Sequence, residues 1–146
     1  MTAVVVAHAA ATLFMVGMIW TVQILHYPLF AHVGTQRFVA YEQAHSTRIT
    51  AVIAVPWAIE GLTTLVLLLA PPPGVPRWLT IVGAVVAAIP VVVTIASSIP
   101  AHRILGDGYD AEAHARLVGT NWLRTAGWTA HGVVAMWILV LALRSD

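Results

Sequence analysis

The chain has no lysine and no cysteine. Without cysteine there are no disulfides, no thiolate metal sites and no thiol redox chemistry. Charge of either sign is scarce. Charged residues make up 9 % of the 146, where a soluble domain carries about 25 %, so a fully water-facing surface is excluded. The first charged side chain is Arg37, and the net charge is +1. That leaves no basic patch and no case for nucleic acid as a partner.

What remains is mostly hydrocarbon, 60 % hydrophobic residues with a mean hydropathy of +0.87. A bilayer core of about 30 Å needs about 20 apolar residues in a helix. Four segments meet that length, at about 3–27, 49–70, 78–99 and 117–143. No basic n-region precedes the first, and its apolar run is long for a leader, so it reads as a span rather than a cleaved signal. Backbone amides in lipid must be satisfied within the segment, which makes the spans helices.

The connections are short. One crosses His26 to about Gln36, and another is Pro71-Pro72-Pro73-Gly74-Val75-Pro76, which cannot continue a helix. The third carries Gly106-Asp107-Gly108, with Asp110 as N-cap of the last helix. Helices two and four start ahead of the bilayer, near Thr35 and Ala111. Their first turns carry Arg37, Glu42, Glu112 and Arg116, suited to a headgroup or water layer. The fold class expected is all-α, an integral membrane four-helix bundle with up-down-up-down topology, one domain over 1–146. The lipid bilayer is its first partner.

Alternation then brings five of the seven histidines to one face: His26, His32, His45, His102 and His114. His32 and His114 suit the headgroup layer. Helical phase, about 100° per residue, puts Tyr41, His45, Arg48, Val52 and Pro56 on one stripe of helix two. Asn121, Arg124, Thr125 and Trp128 share a stripe of helix four, and Gln23 lies one turn from His26. Polar groups near lipid turn inward, so the stripes should face one another. Thr94, Ser97 and Ser98 lead toward His102 and should line the same cavity. The candidate site is His26, His45, His102, Asn121, Arg124, Tyr41 and Arg48.

Three imidazoles from three helices, His26, His45 and His102, suit copper, iron or zinc, although no HExxH spacing accompanies them. Arg124 and Arg48 call for an anion or carbonyl acceptor, or else reach lipid phosphates. Asn121 would hold a carbonyl or oxyanion. Tyr27 and Tyr41 are proton donors or belt aromatics. Trp128 is placed to wall an aromatic pocket, and the other tryptophans are interface anchors. A second polar layer lies deeper. His8 and Glu60 fall at similar depth, with His131 near the midplane. A buried carboxylate needs a partner or a proton, so Glu60 should pair with His8 or His131, as a structural clasp or a proton relay.

Ile99-Pro100-Ala101-His102-Arg103-Ile104-Leu105, then Asn121-Trp122-Leu123-Arg124-Thr125, with Pro28 near the end of helix one, resembles a pattern in small four-helix membrane proteins related to anthrone oxygenases. In that family Val-Pro-x-Asn-x-x-Leu ends the third span and Asn-x-x-Arg-Thr opens the fourth. His102 stands where relatives often have asparagine. The resemblance implies oxidation of a polycyclic anthrone to a quinone by dioxygen without an obvious prosthetic group. Position by position, it implies His102, Asn121 and Arg124 as site residues.

Four functions compete on sequence. The first is a membrane-embedded enzyme, an oxygenase-like oxidoreductase acting on a lipophilic small molecule. The second is a haem- or metal-binding electron-transfer protein with His26 and His45 as ligands. The third is a proton-coupled transporter using His8, Glu60 and His131, and the fourth an accessory subunit. Gly17 and Gly127 would allow close helix contact, within the bundle or in a homo-oligomer. The site face carries Arg37, Arg48, Arg103, Arg116 and Arg124, and the other face Arg77 and Arg144. The positive-inside rule then orients the site face to the cytoplasm, in a bacterial inner membrane.

Overall fold

The computed structural model describes residues 1–145. They form four long helices: α1 (Thr2–His32), α2 (Thr35–Leu69), α3 (Arg77–Leu105) and α4 (Ala111–Leu143). Each is long and apolar enough to cross a membrane. The expected bundle and its four spans are present. α2 and α4 start at Thr35 and Ala111, as expected, and α1 and α3 run past their expected ends at the site face, to His32 and Leu105. At about 1.5 Å per residue, the 35 residues of α2 reach roughly 52 Å, well beyond the hydrocarbon. Leucine, valine, isoleucine and tryptophan project outward along all four helices, as lipid contact requires.

Each boundary has a local cause. Gly34, at φ 78°, reverses the chain between α1 and α2, a conformation that a side chain disfavours. The triple proline ends α2, and Gly74 at φ 73° completes that turn. Asp110 caps α4, accepting from the Ala113 amide at 2.7 Å, as the sequence predicts.

Two helices are interrupted by π-helical turns, Val22–His26 in α1 and Thr94–Ser98 in α3. Proline lies just beyond each one, Pro28 and Pro100. A proline ring displaces the carbonyl four residues back, here Ile24 and Ala96, and both lie inside the widened turns. Arg116 donates to the Ala96 carbonyl at 3.4 Å. Such turns cluster at functional sites, and these two flank the histidines of the site face.

The helices are unequally packed. α4 lies closely against α1 and α3, and α1 against α2. Gly132 makes the α1–α4 approach possible, since a Cβ there would stand 2.9 Å from a Val16 methyl. Gly127 does the same for α3, with Pro90 3.0 Å away. No atom outside its own helix lies within 4 Å of where a Gly17 Cβ would stand. The loose seam is between α2 and α3. Only 11 % of the most apolar stretch of α2 is buried, against 28–39 % for the others. Along that seam Gly61 faces Ala84, Ala87 and Ala88, and Ala54 faces Thr94 and Ser98, across open space. Phe30, Phe38, Leu105 and Leu117 close the site-face end with a small apolar cap.

Candidate functional site

The site grows from a carboxylate one turn before His45. Glu42 is 1 % exposed. Its Oε1 accepts from Ser46 Oγ at 3.0 Å, one turn on, and from His102 Nδ1 at 2.6 Å. That bond fixes the His102 tautomer. With Nδ1 donating to the carboxylate, Nε2 keeps its lone pair and accepts from the Tyr27 hydroxyl at 3.0 Å. Arg124 Nη1 donates to the Tyr27 oxygen at 3.5 Å, to Ser98 Oγ at 3.4 Å and to Asn121 Oδ1 at 3.0 Å. Asn121 Nδ2 donates to Gln23 Oε1 at 2.8 Å. One continuous chain therefore links a carboxylate, an imidazole, a phenol and a guanidinium across all four helices.

His26 and His45 meet directly, Nε2 to Nδ1 at 2.6 Å, one ring donating to the other. His45 also stacks on His102, with centroids 5.4 Å apart. The three expected imidazoles are thus together, His26 hydrogen-bonded to His45 and His45 stacked on His102. His102 has both nitrogens engaged, and the His26–His45 pair expected as axial ligands is a direct hydrogen bond. The group of ligand atoms that converges to within 4.8 Å lies in the deeper layer, as His8, Glu60 and His131.

Two cavities flank this network. One, about 330 Å³ between α2 and α3, is lined by Tyr27, Ser98, His102 and Arg124 at its polar end and by Ile53 and Trp57 below. The other, about 270 Å³ between α1 and α2, is lined by His26, Tyr41, His45 and Arg48. Among the described residues, Glu42 Oε2, His45 Nε2 and Arg124 Nε are buried without a hydrogen-bond partner.

The structure corrects several expectations. Glu42 is no headgroup residue: it is buried, and its carboxylate is held by His102 and Ser46. The signal available in the sequence was Glu42-Gln43-Ala44-His45, a spacing that puts acid and imidazole on one helical face. His114 also leaves the headgroup role. It donates through Nε2 to the Tyr27 carbonyl at 2.8 Å, satisfying a helix-end acceptor. His32 is exposed, as expected. Arg48 and Val52 do not turn inward; both are exposed, at the rim of the smaller cavity, with half-buried Tyr41 beside them. Trp128 is 1 % exposed and packed on Met15 and Ile19, so Trp57 walls the cavity and Trp128 backs it. Thr94 and Ser98 do line the cavity, whereas Ser97 bonds Thr120.

The deeper layer is closed. Glu60 Oε1 accepts from His131 Nε2 at 2.8 Å and from Thr64 Oγ1 at 2.8 Å. His8 bonds Thr63 through Nδ1 at 3.1 Å and meets the His131 ring edge-on at 5.2 Å. Both histidines and Glu60 are at most 2 % exposed. Comparison with protein-family models, curated proteins and solved structures finds no match for this chain.

Proposed function

We propose that the chain is a membrane-embedded enzyme acting on a lipophilic small molecule that carries a carbonyl, an oxidoreductase of the anthrone-oxygenase kind. The observation that carries this reading is the Glu42–His102–Tyr27–Arg124 chain at the polar end of a 330 Å³ cavity whose lower wall is apolar. A cavity of that size, mostly apolar with a few convergent polar groups, suits a small organic ligand.

The residues divide the work by chemistry. Glu42 orients His102 and stabilises it once protonated, as a carboxylate does for an imidazole base. His102, directly or through Tyr27, removes a proton from carbon next to the carbonyl. Arg124, with Ser98, holds the negative charge that develops on the carbonyl oxygen, in surroundings where water does not compete. For an anthrone the balance is simple. The ring methylene loses two hydrogens and gains one oxygen from dioxygen, and the second oxygen leaves as water. The resemblance of Asn121-Trp122-Leu123-Arg124-Thr125 to the family pattern supports that substrate class. The arginine distribution supports a site face in the cytoplasm of a bacterial inner membrane.

The test uses the full chain in lipid nanodiscs with a polycyclic anthrone and dioxygen. Oxygen uptake and quinone formation should exceed autoxidation in empty nanodiscs. His102→Ala and Arg124→Gln should return both to that background. Equal rates with and without protein, or full activity in both variants, would overturn the reading.

A further inference from the structure

The second polar layer is untouched by that chemistry, and its construction is specific. His8, Glu60 and His131 come from α1, α2 and α4 and bring one ligand atom each to within 4.8 Å of the others. The protons in the layer can be assigned from its partners. Thr63 donates its hydroxyl to the Ile59 carbonyl at 2.7 Å, so its oxygen accepts from His8 Nδ1. His8 therefore carries its lone pair on Nε2. His131 donates through Nε2 to Glu60, which leaves the lone pair on Nδ1. That nitrogen is buried and has no partner among the described residues. Thr64 holds the carboxylate from the other side. An ion shared with Glu60 therefore takes His131 through Nε2, once its proton has shifted to the unpartnered Nδ1, and hydroxyls fix the orientation of His8 and Glu60.

We propose that His8, Glu60 and His131 bind one divalent transition-metal ion. Two histidines and a carboxylate are a ligand set that zinc and non-haem iron use, with positions left for water. Thr63 and Thr64 take the part of the outer partners that orient such ligands. The adjoining cavity measures about 10 Å³ and is lined by His8, His131, Thr64, Thr80 and Gly83. It holds one water or one ion and excludes any organic ligand. Ligand atoms on one ion at about 2.1 Å are roughly 3.4 Å apart, so binding draws the three groups together by rotamer adjustment. Thr64 and Ala84 also line the cavity of about 280 Å³ that Glu60 borders on the α2–α3 seam. The ion would tie α2, the least buried helix, to α1 and α4. The proposal is independent of the chemistry at the site face.

The test begins with the full chain purified in detergent and stripped with a chelator, then titrated with Co²⁺. Wild type should bind one ion per chain, seen as ligand-field absorption and displaced by Zn²⁺. Glu60→Gln and His131→Ala should weaken Co²⁺ binding by about 100-fold or more, with helical circular dichroism and a monodisperse elution profile retained. His45→Ala and His102→Ala should leave it unchanged. A second measurement needs no ligand variant. The Trp128 ring is 6.1 Å from His131, so Co²⁺ here should quench tryptophan emission, and Trp128→Phe should remove most of that quenching. Wild type that binds no Co²⁺, or an ion that survives Glu60→Gln and His131→Ala, would overturn the proposal. So would an ion lost in His102→Ala, or quenching unchanged by Trp128→Phe. A Glu60–His131 pair that only shares a proton gives the first of these results.

Discussion

The two polar layers use the same parts. In each, a glutamate of α2 accepts from a hydroxyl four residues on, Ser46 for Glu42 and Thr64 for Glu60. In each, the same carboxylate oxygen takes a histidine from another helix, His102 above and His131 below. A histidine of α1 completes each layer, His26 above and His8 below. Glu42 and Glu60 are 18 residues apart, five helical turns, so both point to one side of α2. The surroundings differ. In the upper layer His102 borders a cavity of about 330 Å³, with Arg124 and Tyr27 at hand, and His26 and His45 one of about 270 Å³. In the lower layer His8 and His131 border about 10 Å³ and Glu60 a cavity of about 280 Å³, with no arginine among the described residues that line either. One carboxylate–histidine unit therefore serves two purposes. Arg124 and Tyr27 beside the imidazole suit the upper unit to an organic molecule, and the ion-sized space beside His8 and His131 suits the lower one to an ion or a proton.

The largest effect belongs to the deeper layer. His131→Leu leaves the Glu60 carboxylate buried with Thr64 alone. Removing one partner of a buried pair costs roughly 3–5 kcal/mol, which should appear as a large drop in thermal midpoint in detergent. The double change Glu60→Leu/His131→Leu should recover most of that stability, because no buried charge remains. Failure to recover would mean the layer does not act as a pair.

Next comes the open layer. Glu42→Gln keeps the shape but removes the charge behind His102. Turnover of an anthrone probe should fall by about 100-fold, the scale of a lost acid–base contribution, while Co²⁺ binding at the lower layer stays intact. A variant that lost both together would show that the layers are not separable.

Smaller effects sharpen the frame that holds both. Gly132→Ala puts a methyl 2.9 Å from Val16. The overpacking should cost about 1–3 kcal/mol and disturb the lower layer before the upper. Asp110→Ala removes the cap on α4 and should cost about 1 kcal/mol. Neither turnover nor metal binding should change; a shift in either would tie α4's first turn to the chemistry.

The sequence made the fold readable because lipid leaves little choice. Four apolar runs, a proline turn and a capping aspartate fix spans and order by length and composition. The deep layer was readable for the same reason, since Glu60, His8 and His131 are isolated polar residues in hydrocarbon. The upper site was only half readable. Glu42 lies in a charged stretch beside Arg37, and depth counted along the chain puts it in water. Yet it is buried, with His102 of α3 on its carboxylate, a contact between helices that no single segment shows. Helical phase misjudged Arg48, whose direction depends on which neighbour α2 leans against. The π-turns at Val22–His26 and Thr94–Ser98 leave no mark in hydrophobic periodicity, yet they sit beside the residues that approach from α1 and α3.

The loose seam between α2 and α3 changes how concentration should be counted. A guest that enters there comes sideways out of the bilayer rather than from solution. Its effective dose is a mole fraction of lipid, set by partitioning, and not a molarity. Diluting the membrane with inert lipid at constant total guest should then lower occupancy, even though nothing in the aqueous phase has changed.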